Sequence, residues 1–184
     1  TLLFPMMAPI HFNILGNVFR HFGYKAELLT SSGPEIAQTG LKYVHNDTCY
    51  PAILVIGQLI DALKSGRYDL DKIMEALLSG RYDLHKVAVV ITQTGGGCRA
   101  SNYIHLLRKA LKKAGFEHIP VVSVNLSGME KNPGFKITLP IIRRAAGAIV
   151  YGDALMLLHN QTKPYEATPG DSQKIVDKWT EILT

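Results

Sequence analysis

Short apolar runs alternate along the chain with longer amphipathic stretches, and this alternation restricts the fold more than any other feature of the sequence. Strands joined by crossover helices produce such a pattern, because parallel strands need a long connection between them. The apolar runs predict four strands, at residues 1–6, 24–29, 86–93 and 119–126. We therefore expect an α/β fold with a mostly parallel sheet of about four strands flanked by helices.

Residue types mark where the intervening helices end. Gly23, Gly66 and Gly115 each follow an amphipathic stretch, as expected for glycine just after a helix. The predicted helices cover residues 11–22, 51–64 and 100–114, with a long helix from about residue 138 and a last one at 171–184.

The stretch between the second strand and the first cysteine has a different pattern. Residues 34–39 predict a short helix, and Gly40 is expected to end it. Residues 43–45 would then run extended and return the chain to the edge of the sheet where the strands end. In this arrangement Cys49 would lie near Cys98.

A chain of 184 residues with 47% hydrophobic residues can bury one core, so a single domain over residues 1–184 is expected. Residues 61–88 contain a tandem duplication, because residues 61–74 and 75–88 are identical at nine of fourteen positions. A solenoid needs more copies of a longer unit, so we interpret the repeat as a duplicated helix end and loop. We expect one copy to form an extra helical turn and surface loop on the edge opposite the cysteines, and a dimerisation arm is the alternative.

Charge and hydropathy exclude two classes of partner. The 20 Lys and Arg exceed the 15 Asp and Glu, but they are not gathered in a run that would bind nucleic acid. The longest apolar helix candidate, residues 138–158, carries Arg143, Arg144 and Asp153, so no membrane span is expected. We expect a soluble, cytoplasmic protein. Because the chain begins at Thr1 inside an apolar run, we also expect a piece of a longer protein.

The chain contains two cysteines, and each lies where a helix is predicted to begin. Cys49 precedes Pro51, which fits the first turn of a helix, and Cys98 precedes the helix at 100–114. Backbone N–H groups and the positive end of the helix dipole favour thiolate at such positions. In a reducing cytosol such a pair is catalytic, metal-binding or inert more often than disulfide-bonded. Two buried, unreactive cysteines are the alternative to a site.

Three consecutive glycines, Gly95, Gly96 and Gly97, lie between the third strand and Cys98. Glycine lets the backbone approach a ligand closely, and the following helix directs N–H groups at that ligand, whether phosphate or cluster sulfide. The loop matches neither the dinucleotide fingerprint nor the nucleoside-triphosphate loop. Cys98 favours a metal at this position, and a phosphate-bearing ligand is the alternative.

Polar side chains lie beside these loops in the sequence. Arg99, Ser101 and Asn102 follow Cys98 and could bind an anionic group or donate hydrogen bonds to cluster sulfides. His11 follows the first strand and could be a ligand or a proton donor, although a capping or packing histidine is more frequent. His45, four residues before Cys49, is a weaker candidate for an additional ligand.

Four stretches of the chain resemble the 2-hydroxyacyl-CoA dehydratase activase-related proteins of anaerobic bacteria, in which a dehydratase-like region often accompanies an ATP-hydrolysing activase region. These stretches are HFNILGN, GLKYVHNDTCYPA, ITQTGGGCRASNY and VNLSG, at residues 11–17, 40–52, 91–103 and 124–128. The resemblance covers most of the chain outside the duplication. It implies a Rossmann-like three-layer domain in which Cys49 and Cys98 are ligands of a 4Fe–4S cluster.

The family also implies partners. Dehydratase subunits usually provide three cysteines per cluster, so two cysteines imply additional ligands from another subunit, as in a homodimer, or from a region outside this chain. The implied function is an iron–sulfur redox component of a dehydratase/activase-type system. It would support ATP-coupled low-potential electron transfer, or the dehydration of an acyl-CoA-type substrate, whether or not this chain is itself the enzyme. The alternative is a non-catalytic structural or regulatory domain that binds a phosphate-bearing small ligand through Gly95–Gly97 without metal.

Overall fold

The computed structural model describes residues 1–67, 87–92, 102–124 and 137–183. The four strands are Leu2–Pro5 (β1), Ala26–Leu29 (β2), Ala88–Thr92 (β3) and Val121–Val124 (β4). The α-helices in this part of the chain are Pro9–His21 (α1), Pro34–Tyr43 (α2), Tyr50–Lys64 (α3), Tyr103–Lys113 (α4), Leu139–Thr162 (α5) and Asp171–Ile182 (α6). A short 3-10 helix, Lys163–Tyr165, follows α5.

The strands form one parallel sheet in the order β2-β1-β3-β4. Leu3 of β1 pairs with Val89 of β3, and Ile91 of β3 pairs with Ser123 of β4. Since consecutive strands are parallel, helical segments connect them, which is the arrangement that the alternating pattern predicts. The predicted Rossmann-like three-layer α/β fold is confirmed. Among the described helices, none combines the length and the apolar character that a membrane crossing requires.

Contacts divide the described chain into two compact units. The first unit consists of residues 1–5 and 29–136, and the second of residues 6–28 and 137–184. The single domain expected from length stays a prediction. Of the duplicated segment, residues 68–86 lie outside the described residues.

The core of the first unit is built around α3. Ten of the fifteen residues of this helix are buried, because its sequence is apolar on nearly every side. Ile56, Leu59 and Ile60 are completely enclosed. The buried amide of Gln58 donates a hydrogen bond to the carbonyl of Ser31 at 2.6 Å, which satisfies the one long polar side chain of this buried set.

Two glycines bring α2 and α3 together. A Cβ atom at Gly40 would overlap the carbonyl oxygen of Ile53, and one at Gly57 would overlap the carbonyl oxygen of Ile36. The two backbones are therefore in direct contact, which is closer than side chains would allow.

The prediction that a short helix ends at Gly40 is wrong. Helix α2 continues through this residue to Tyr43, and Val44 is the first extended residue after it, with φ −120° and ψ 165°. The glycine serves the close contact with α3, and this contact offsets the cost of glycine inside a helix. Sequence alone does not distinguish a packing glycine from a helix-ending one.

In the second unit, α1 packs against α5. Ile14, Ala148 and Leu155 form the buried contact, with Ile10 and Val18 beside them. Gly152 lets the ring of His11 lie against α5, because a Cβ atom there would come within 2.5 Å of His11 Cδ2.

The segment before α6 is held by Glu166, whose carboxylate accepts hydrogen bonds from the backbone N–H groups of Gly170 and Ser172.

Replacing Gly57 by alanine is expected to lower the free energy of unfolding by about 2 kcal/mol, because α2 and α3 must separate to admit the new methyl group. Gly147 is a matched control, since it also lies inside a helix but a Cβ atom there would meet nothing within 4 Å. Gly147→Ala should raise stability by up to about 1 kcal/mol. Urea unfolding curves measure both effects. Equal stability of the two variants would contradict the close contact.

Glu166 gives the first turn of α6 a pH dependence. Its hydrogen bond with the Ser172 hydroxyl, and the backbone bond from Gly170, lower the pKa of Glu166 from the usual value of 4.5. Since the folded pKa lies below the unfolded one, the stabilisation is present above the unfolded pKa and is lost as pH falls through the folded value. Glu166→Gln should therefore lower the melting temperature at pH 7 and converge with the parent protein in acid.

Glu117, an exposed carboxyl, supplies the control for this measurement. Glu117→Gln should leave the melting temperature unchanged at both pH values. A Glu166→Gln effect of the same size at neutral and at acid pH would show that the carboxylate does not hold this segment.

Candidate functional site

Cys49 immediately precedes α3 and is its N-cap residue. Its carbonyl oxygen accepts hydrogen bonds from the backbone N–H groups of Ala52 and Ile53, at 3.0 and 3.2 Å, so the helix is hydrogen-bonded from its first turn. Pro51 stands in that turn, where its fixed φ favours the helix and its missing N–H costs nothing. The Cys49 side chain is half-buried at the positive end of the α3 dipole, a position that stabilises negative charge on sulfur.

A tyrosine from a neighbouring helix contacts this thiol. Tyr103 is the first residue of α4 and is buried, and its hydroxyl lies 3.0 Å from Cys49 Sγ. Either group can donate this hydrogen bond when sulfur is protonated. When sulfur is a thiolate or a metal ligand, only the phenol can donate, because a thiolate has no proton. The tyrosine is thus suited to stabilise a charged sulfur.

A cleft of about 300 Å³ opens beside the thiol. The N-termini of two helices lie at its edge, since the lining residues Cys49 and Asn102 immediately precede α3 and α4. The positive ends of two helix dipoles therefore lie at one cleft, which favours a ligand of negative charge. The residues that line the cleft are His45, Asp47, Thr48, Cys49, Asn102, Tyr103 and Leu106.

His45 and Asp47 form a small polar group at the rim of the cleft. The backbone N–H of Asp47 donates to His45 Nδ1 at 3.3 Å, and the Asp47 carboxylate lies 3.2 Å from the same nitrogen. Both side chains are more than three-quarters exposed, at 76% and 84%. While Nδ1 accepts the Asp47 N–H, a neutral His45 carries its proton on Nε2, which can donate a hydrogen bond but cannot bind a metal.

Of the residues predicted from sequence as site residues, the structure places Cys49 and Asn102 at the same cleft. His45, the weaker candidate, also lines it. The other predicted residues of this region, Gly95, Gly96, Gly97, Cys98, Arg99 and Ser101, lie outside the described residues.

His11 lies in the second unit. Its Nε2 atom is 2.9 Å from the Asp153 carboxylate, its side chain is 13% exposed, and its ring rests on Gly152. Its ring thus packs against α5 and is hydrogen-bonded to Asp153, as expected for a packing histidine, and a role as ligand or proton donor stays a prediction.

Tyr103 is the residue that sequence reasoning did not single out. It follows Asn102 directly in the predicted fourth-helix segment, and with Leu107 and Ala110 it forms the buried stripe of α4. That spacing indicates burial, but only the three-dimensional arrangement shows that its hydroxyl meets sulfur.

The described part of the chain contains no cluster of three or more His, Cys, Asp or Glu side chains that could hold a metal ion. Of the two cysteines, it shows only Cys49. Comparisons of the chain with protein-family models, with curated proteins and with solved structures found no match.

Proposed function

We propose that the chain is an iron–sulfur unit in which Cys49 and Cys98 provide two thiolate ligands of a 4Fe–4S cluster. In this proposal it supports ATP-coupled low-potential electron transfer, or the dehydration of a 2-hydroxyacyl-CoA, in the cytoplasm. The observation that carries the proposal is the position of the Cys49 thiol, at a cleft between the starts of α3 and α4.

The donor chemistry of this cleft fits such a cluster. Thiolate is the ligand that iron–sulfur clusters take, and two helix dipoles favour the net negative charge of a thiolate-ligated cluster. Cys98 precedes Asn102, which lines the cleft, by four residues in the sequence. A 4Fe–4S cluster is usually held by four cysteine thiolates, and this chain provides two. The other ligands would come from a second chain or another region.

The residues of the cleft then have separate roles. Cys49 binds iron, and the Tyr103 hydroxyl donates a hydrogen bond to its sulfur. The Asn102 amide is suited to hydrogen-bond a cluster sulfide or an anionic group of the substrate. Leu106 adds an apolar side chain to the lining. When bound, the cluster supplies one-electron transfer at low potential.

The size of the cleft limits what it can accept. At about 300 Å³ it lies at the lower end of the range for small-molecule sites. We therefore expect it to hold a compact group such as a cluster, while the nucleotide portion of an acyl-CoA stays outside.

Anaerobic reconstitution with iron and sulfide tests the proposal. The protein should turn brown, with broad absorption at the blue end of the visible spectrum. Cys49→Ala should lose most of the bound iron, because it removes one ligand from each chain. The melting temperature of the metal-free protein should change little, which separates lost ligation from lost folding.

Tyr103→Phe is the matched control, since it keeps the ring and removes only the hydroxyl. It should keep its iron but have a more negative reduction potential, because a hydrogen bond to sulfur stabilises the more negative, reduced state. A colourless parent protein that takes up no iron would contradict the proposal, as would a Cys49→Ala variant with full iron content. Uptake of zinc in place of iron would also contradict it.

A further inference from the structure

Helix α5 has two faces with different surroundings. Ile141, Ala148, Gly152 and Leu155 form its buried face. The opposite side carries a second stripe, which we call the outer stripe and in which every residue is exposed. Its members are Leu139, Arg143, Ala146, Val150, Asp153 and Leu157.

The outer stripe has the spacing of a helix–helix contact. Its residues follow one another at intervals of four, three, four, three and four, which keeps them on one side of the helix. Leu139 is 77% exposed, Val150 is 67% exposed and Leu157 is 56% exposed. A helix that is apolar on both sides is typical of one that is buried on both sides. Within the described residues, the packing of the second unit covers one side of α5 and leaves the outer stripe exposed.

Two copies of the outer stripe match each other when the helices run in opposite directions. When two copies of α5 lie antiparallel about a twofold axis at position 148, Leu139 faces Leu157 and Ala146 faces Val150. Arg143 then faces Asp153, so opposite charges meet twice in one dimer. A parallel pair would instead place Arg143 against Arg143 and Asp153 against Asp153, which like-charge repulsion disfavours.

We propose that the outer stripe of α5 is a homodimer interface, in which two copies of this chain pair antiparallel through the helix. The charge complementarity between Arg143 and Asp153 selects a second copy as the occupant, since each copy carries both members of the pair in matching positions. Dimerisation through α5 uses neither thiol, so it does not depend on the iron–sulfur proposal.

Two residues of the outer stripe favour contact with a second copy of α5. The Asp153 carboxylate is hydrogen-bonded with His11 Nε2 at 2.9 Å yet stays 65% exposed, so it is oriented by this contact while it can still accept a donor from another chain. Ala146 is small and exposed, so the side chain at the middle of the stripe is short where another helix would cross.

Sedimentation equilibrium over a range of concentrations measures the association. The parent chain should dimerise, and Arg143→Glu or Asp153→Lys should each raise the dissociation constant about tenfold or more, because each change acts twice in a twofold dimer. Arg143→Glu does not alter the hydrogen bond between His11 and Asp153, so its effect separates lost pairing between chains from altered packing of the second unit.

Mixing the two charge variants gives the sharper result. In an equimolar mixture, the glutamate introduced at position 143 of one chain faces the lysine introduced at position 153 of the other. At the second contact, the unaltered Asp153 of the first chain faces the unaltered Arg143 of the second. The mixture should therefore form a heterodimer more tightly than either variant associates with itself. Two weakened variants that stay monomeric when mixed would overturn the proposal, as would a parent chain that is monomeric at every concentration.

Two adjacent leucines provide a matched control. Leu157 and Leu158 are 56% and 57% exposed, but Leu158 lies about 100° around the helix from the outer stripe. Leu157→Asp should abolish dimerisation, and Leu158→Asp should leave it within about twofold of the parent, as is usual for substitutions outside an interface core. Equal effects of the two substitutions would show that the outer stripe is not the interface.

Discussion

The direct contact between the backbones of α2 and α3 is the constraint on which the first unit depends. Gly40 faces the backbone of Ile53 and Gly57 faces the backbone of Ile36, so at each of these two points one helix contributes no side chain. Close approach allows α2 to cover one side of α3 directly, and ten of the fifteen residues of α3 are buried. A helix enclosed to this degree has little freedom to shift along its axis, because protein interiors are close-packed. The position of its first residue is fixed accordingly.

That fixed position gives the cysteine its chemical environment. Cys49 stands just before α3 and therefore faces the start of α4, where the Tyr103 hydroxyl lies 3.0 Å from its sulfur. The helix dipoles and the phenol all favour negative charge at one point of the cleft. Tyr103 is itself held by the buried stripe of α4. A thiol placed in this way suits metal ligation better than a buried cysteine that only fills space.

Much of this arrangement could be predicted from sequence, because it follows from local patterns. Alternating apolar and amphipathic runs predicted the parallel sheet, and Pro51 after Cys49 predicted a helix start at the cysteine. Gly40 could not be assigned correctly, since its effect depends on Ile53 in another helix. The contact of Tyr103 with the sulfur of Cys49 likewise arises from a pair of elements. Local periodicity describes one element at a time and does not encode such pairs.

Native mass spectrometry of the anaerobically reconstituted chain tests the central claim most directly, because it counts cofactors on intact protein. We predict a species that carries the mass of a complete 4Fe–4S cluster and that disappears when Cys49 is replaced by alanine. Only metal-free protein in the reconstituted sample, or a cluster mass that persists without the Cys49 thiol, would contradict the account.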